Sequence, residues 1–160
     1  MFHFFKKKQN QQLAAVADGQ CIPLEQVHDD AFASKTLGEG IAFVPETETI
    51  VAPCDGTLSL ITPTLHAFGM ECADGLELMV HIGIDTVELK GEGFEKLTEA
   101  GTQVKKGQPI IRFDRKVMDT KGIDMTTMLI LLNHQDYQIK ALNHGCRMKK
   151  GVDTAIEYCQ

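Results

Sequence analysis

Two histidines in this 160-residue chain sit in patterns that could do nucleophilic chemistry. In Glu77-Leu78-Met79-Val80-His81-Ile82-Gly83-Ile84-Asp85, an extended backbone sends alternate side chains to opposite faces. Leu78, Val80, Ile82 and Ile84 then form an apolar face suited to a core, while Glu77, Met79, His81 and Gly83 point the other way. The same parity, applied to Thr64–Phe68 as an extended stretch, puts Thr64, His66 and Phe68 on one face and Leu65 and Ala67 on the other. Imidazoles on neighbouring strands can share one ligand. One such ring keeps a free nitrogen at neutral pH and can attack as a nucleophile, and the second can donate a hydrogen bond to an incoming anionic phosphoryl group. That pairing suits phosphoryl transfer. His3, His28, His134 and His144 lack such a setting and read as ordinary surface residues.

The elements that must hold these rings read as short strands. Apolar runs between residues 38 and 70 alternate with turn signals at Gly38–Gly40, Pro45–Thr47 and Asp55-Gly56, and punctuation at this spacing predicts many short strands. Asp55-Gly56 and Asp74-Gly75 accept the positive φ of tight turns, so hairpins or corners are expected at both. Two short helices are expected, over Gly93–Ala100, ended by Gly101, and over Arg115–Gly122. The fold class is all-β, a mostly antiparallel β-sandwich or flattened barrel with one or two short helices.

Composition bounds the rest. The chain can bury one good core and is short for two, so residues 13–160 are read as one domain and residues 1–12 as a flexible polar tail with a hydrophobic tip. A formal charge of -6 argues against a nucleic-acid partner and favours a basic protein partner. The cysteines Cys21, Cys54, Cys72, Cys146 and Cys159 are scattered singly with no C-x-x-C pair, which fits a reducing cytoplasm. No apolar run reaches membrane-spanning length, and the aromatic and basic tip Met1–Lys8 is short for stable anchoring on a membrane.

The block His81-Ile82-Gly83-Ile84-Asp85-Thr86-Val87-Glu88-Leu89-Lys90-Gly91-Glu92-Gly93-Phe94 resembles the active-site signature of the glucose-type enzyme IIA family of the sugar phosphotransferase system. Pro63-Thr64-Leu65-His66-Ala67-Phe68 is similar to that family's second histidine segment, and Ala52-Pro53-Cys54-Asp55-Gly56-Thr57 to the turn before it. The resemblance implies that His81 accepts phosphate on Nε2 from the histidine-containing phosphocarrier protein and passes it to a cysteine on the IIB domain of a sugar permease. It also implies that His66 stabilises the phosphoryl group, that Thr64 orients His66, and that Asp85 and Asp29 flank the site and meet a basic side chain of the donor. Phe32, Leu37, Met79 and Val87 resemble the apolar docking ring, with Leu37 and Val87 equally open to plain core packing. Met79 stands where relatives often have an aromatic residue, and Thr62 where they have a larger apolar one. No resident cofactor is implied beyond the transient phosphohistidine. Regulatory targets that bind one phosphorylation state only would follow from the added charge, and binding assays on both states would find them.

Two other readings use some of the same residues. His66, His81 and Asp85 are acceptable zinc ligands, and the H-x-x-x-D spacing occurs in some peptidases, which would also need an H-x-H pair that this chain lacks. Zinc held between His66, His81 and a partner's carboxylate is a milder form. The segments Ala52–Thr57 and Gly101–Ile110 also look locally like pieces of a biotinyl or lipoyl carrier, for which Lys90 lacks the expected neighbours.

Overall fold

The computed structural model describes residues 9–160; the tip Met1–Lys8 of the expected tail, and with it any contact to a membrane, lies outside the described residues. Among the described residues, fourteen strands follow in order. They are β1 Gln11–Ala14, β2 Gly19–Pro23, β3 Glu39–Pro45, β4 Thr49–Val51, β5 Gly56–Ile61, β6 Ala67–Cys72 and β7 Glu77–Ile82. Then come β8 Phe94–Lys96, β9 Thr102–Val104, β10 Pro109–Phe113, β11 Thr127–Leu131, β12 Gln138–Leu142, β13 Arg147–Met148 and β14 Thr154–Cys159. The helices are α1 Asp30–Ala33 and α2 Arg115–Thr120.

The strands form an eight-stranded sheet of order β13-β2-β3-β11-β7-β6-β5-β9 and two three-stranded sheets, β1-β14-β12 and β4-β10-β8, with antiparallel pairing throughout. One core joins all three. Phe43, Phe68, Leu78, Val80, Ile82 and Leu129 from the large sheet pack with Ile50, Ile111 and Phe113 from one small sheet and Leu13 and Ile156 from the other. Burying a side chain of this size removes it from water at about 1.5–3 kcal/mol each. The expected all-β architecture with short helices is therefore what the chain adopts.

Gln11 and Gln12, N-terminal to Leu13, pair with Tyr158 and Glu157 as the first residues of β1. The helix expected over Gly93–Ala100 is absent: Phe94–Lys96 is a strand paired with β10, and Phe113 lies opposite Phe94. Gly93 takes φ +81, and Phe94 with Leu97 is too small an apolar face to hold a helix on the core. The helix expected over Arg115–Gly122 forms, started by the Asp114 carboxylate, which accepts hydrogen bonds from the amides of Lys116 and Val117.

The two Asp-Gly signals differ in kind. Asp74-Gly75 closes the β6–β7 hairpin with Gly75 at φ +87. Gly56 instead opens β5, where a Cβ would meet the Glu71 carbonyl oxygen at 2.5 Å, so this glycine is needed for close strand approach and not for a turn.

A second, smaller cluster lies on the outer face of the large sheet. Ala42, Met128 and Ile130 there are covered by Leu24, Val27 and Phe32 from the segment that carries α1, with Met79 and Ile84 at the edge.

Candidate active site

His81 lies on β7, where Leu78, Val80 and Ile82 all face the main core. The expected parity holds as far as Ile82. Gly83 then turns at φ +81, and Ile84 packs with the outer cluster instead of extending the core face. A Cβ on Gly83 would sit 2.5 Å from Thr86 Cγ2, so this turn demands glycine twice, through conformation and through space. Thr86, fully buried, secures the turn by donating its hydroxyl to the Ile82 carbonyl at 2.6 Å.

The turn decides the state of the ring. Nδ1 of His81 lies 3.0 Å from the Gly83 carbonyl, which can only accept, so Nδ1 carries the proton. The lone pair is left on Nε2. Burial, then the neighbouring His66, push the His81 pKa down to about 4, against smaller upward pulls from the Gly83 hydrogen bond, Asp29 and Asp85. At neutral pH the ring is therefore uncharged, with a free Nε2.

His66 arrives by another route. Residues 62–66 are not extended: Leu65 sits at φ 60, and β6 begins only at Ala67. The expectation that His66 and Phe68 share a face fails for this reason. Phe68 lies opposite Val80 in the core, and Ala67 lies opposite His81. The turn nevertheless delivers His66 to His81, with ring centroids 5.0 Å apart and planes at 77°. The backbone fastens it there, since the Ile82 amide donates to the His66 carbonyl at 2.7 Å. Thr64 Oγ1 lies 2.6 Å from Nδ1 of His66, leaving its Nε2 free of that contact. Burial lowers the His66 pKa as well.

Thr62 has a role that sequence reasoning missed. Its hydroxyl bonds both the amide and the carbonyl of Ala67 at 3.2 Å and lies 3.4 Å from His66 Nδ1, so it closes the turn from inside. A hydroxyl two residues before Thr64 was the visible signal.

The flanking residues divide. Phe32 is 5% exposed and its ring lies 4.9 Å from that of His81, so it backs the imidazole and offers a partner little surface. Met79 is half-buried at the edge of the outer cluster. Leu37 and Val87 are 43% and 50% exposed, which removes plain core packing as their role. Asp29 caps α1 by accepting from the Ala31 amide at 2.9 Å, and Asp85 is exposed in the turn at φ 56. Among the described residues, no three His, Cys, Asp or Glu side chains gather as a metal site. Lys90 follows a short 3-10 turn and is not a hairpin tip.

Against known proteins, residues 11–137 match the family described as phosphoenolpyruvate-dependent sugar phosphotransferase system, EIIA 1. The chain belongs to this family. It is 46% identical over 125 residues to a "PTS system glucose-specific EIICBA component" of Staphylococcus saprophyticus subsp. saprophyticus, covering 78% of this chain. The chain matches 18% of that relative's length. The solved structure of glucose permease IIA from Mycoplasma capricolum superposes with a TM-score of 0.86 at 31% identity, over 98% of this chain and 99% of that one. By sequence and fold it is a glucose-type EIIA. Among the described residues, no helix is long and apolar enough to cross a membrane.

Proposed function

We propose that His81 Nε2 of this EIIA accepts a phosphoryl group from the histidine-containing phosphocarrier protein and hands it to a cysteine of a permease IIB domain, in the cytoplasm. The observation that carries this reading is the hydrogen bond from Nδ1 to the Gly83 carbonyl, which puts the lone pair on the nitrogen that must attack. In the first step Nε2 bonds to phosphorus as the donor's P–N bond breaks. In the second, the cysteine sulfur bonds to phosphorus and the electron pair returns to Nε2.

His66 is the stabilising partner. With the Thr64 hydroxyl donating to Nδ1, the proton of His66 sits on Nε2 and can be donated to a phosphoryl oxygen. Asp29 and Asp85 favour a cationic donor at the rim, and exposed Leu37 and Val87, with Met79, exclude water when the two proteins meet. The fused "EIICBA" name of the staphylococcal relative supports a IIB partner. Any zinc at this site would bridge His66 and His81 to a ligand from a partner.

Intact-mass analysis after incubation with phosphoenolpyruvate, enzyme I and the phosphocarrier protein tests the assignment. The wild type should gain one acid-labile phosphoryl group, His81→Gln none, and His66→Gln should be labelled but fail to pass the group on. Normal labelling of His81→Gln would overturn it.

A further inference from the structure

A pair of cysteines lies outside the histidine site. Cys54, just before β5, and Cys72, at the end of β6, bring their sulfurs to 3.0 Å. That is about 1 Å more than an S–S bond of ~2.04 Å. The strand ladder creates this approach: Cys72 lies opposite Gly56, and the missing side chain at Gly56 lets the turn holding Cys54 fold against the strand end. The other cysteines make no such sulfur–sulfur contact: Cys146 lies near Cys21, whose amide donates to its carbonyl, and its own sulfur contacts the Asn143 carbonyl, while Cys159 contacts the Gln138 side chain.

Cys54, half-buried, and Cys72, buried, both line a surface cleft of about 370 Å³, with Asp55, Asp74, Lys106 and Tyr158 around them. The cleft brings solvent up to the half-buried Cys54 side of the pair, and two carboxylates in the wall favour an uncharged solute over an anion. The hydrogen bond to Cys72, followed by burial, pushes the Cys54 thiol well above its ordinary pKa. At 3.0 Å one thiol can donate to the other sulfur, and the two are already placed to join.

We propose that Cys54 and Cys72 are a redox-responsive dithiol that closes to an intramolecular disulfide with a hydroperoxide as oxidant. One of the two sulfurs attacks a peroxide oxygen, the O–O bond breaks, and the hydroxide leaves with that thiol's proton as the first water, giving a sulfenic acid. The second sulfur then attacks the sulfenic sulfur, the S–S bond forms, and the hydroxyl leaves with the second thiol's proton as a second water. Two thiols lose two electrons and two protons, and hydrogen peroxide is reduced to two waters. The bond joins the turn before β5 to the far end of β6, whose near end lies beside His81.

The test treats the reduced full chain with hydrogen peroxide and reads its mass without reductant, together with free thiols counted in denaturant. The expected result is loss of two hydrogens' mass, a fall by two from the five thiols, a proteolytic fragment joining Cys54 to Cys72, and reversal by dithiothreitol. Cys146→Ser should behave as the wild type. Cys54→Ser and Cys72→Ser should each lose no hydrogens, and a sulfenic acid on the remaining cysteine of the pair should be trapped by dimedone. A wild type that keeps all five thiols, or that oxidises first at exposed Cys146, overturns the proposal.

Discussion

His81 and His66 face each other across 5.0 Å, yet the chain holds them by different means. His81 stands on a strand whose alternate residues, Leu78, Val80 and Ile82, are locked into the main core. Its position is inherited from the sheet. His66 stands at the end of a turn, where left-handed Leu65 and the hydroxyls of Thr62 and Thr64 set its place. In the proposed roles, a nucleophile that must align with a phosphorus atom gains from the rigid mount, and a ring that follows charge on the phosphoryl oxygens can sit on a local one.

The sharpest way to break this comparison is Gly83→Ala. Positive φ and the 2.5 Å approach to Thr86 Cγ2 act together, so we expect a loss of about 2 kcal/mol or more in stability. The larger consequence is functional. Displacing the Gly83 carbonyl frees His81 Nδ1 to become the lone-pair nitrogen, and phosphoryl acceptance should fall more steeply than folding does. Denaturant melts and the rate of labelling in the folded protein separate the two effects; unchanged labelling would mean that the carbonyl does not set the tautomer.

Thr64→Val asks the same question of the other ring. It removes a hydroxyl from Nδ1 of His66 without touching β7, and one hydrogen bond is worth about 0.5–1.5 kcal/mol. Onward transfer to the IIB cysteine should drop about tenfold. Acceptance at His81 should stay close to wild type. A matched loss of both steps in stopped-flow assays would show that the two rings are positioned as one unit.

The contrast also explains what could be read from the sequence. Period-two alternation through Leu78–Ile82 needs only one strand and one core, so the outward direction of His81 was legible from those residues alone. Alternation failed at Ile84 and His66, because Gly83 and Leu65 adopt positive φ and reset the parity. Glycine announces that option, whereas leucine does not. The cap over the outer face was hidden for a further reason: Leu24, Val27 and Phe32 are distant in sequence from the Ala42, Met128 and Ile130 that they cover. Asp29 was readable as a rim carboxylate by resemblance, but its cap of α1 depends on a helix too short to leave a periodic signal.

A pH titration gives the smallest and most general contrast, because it separates the ring's chemistry from its contribution to folding. The His81 pKa falls from 6.5 in the unfolded chain to about 4 in the folded one, so between these values the unfolded state binds more protons. Stability then rises with pH across that window, is fully present above about 6.5, and is lost as pH falls toward about 4. Solvent still reaches part of the ring and screens the effect, so removing the group with His81→Gln should flatten the acid side of the stability curve by about 1 kcal/mol. Carboxylates shared by both proteins cancel in the difference. The same uncharged ring should keep the rate of phosphoryl acceptance nearly level from pH 7 down to about pH 5 where an ordinary histidine would lose half its nucleophile near 6.5. Denaturant curves of the two proteins and labelling rates across the same window check both halves, and a labelling midpoint near 6.5 would show that the sheet does not hold His81 neutral.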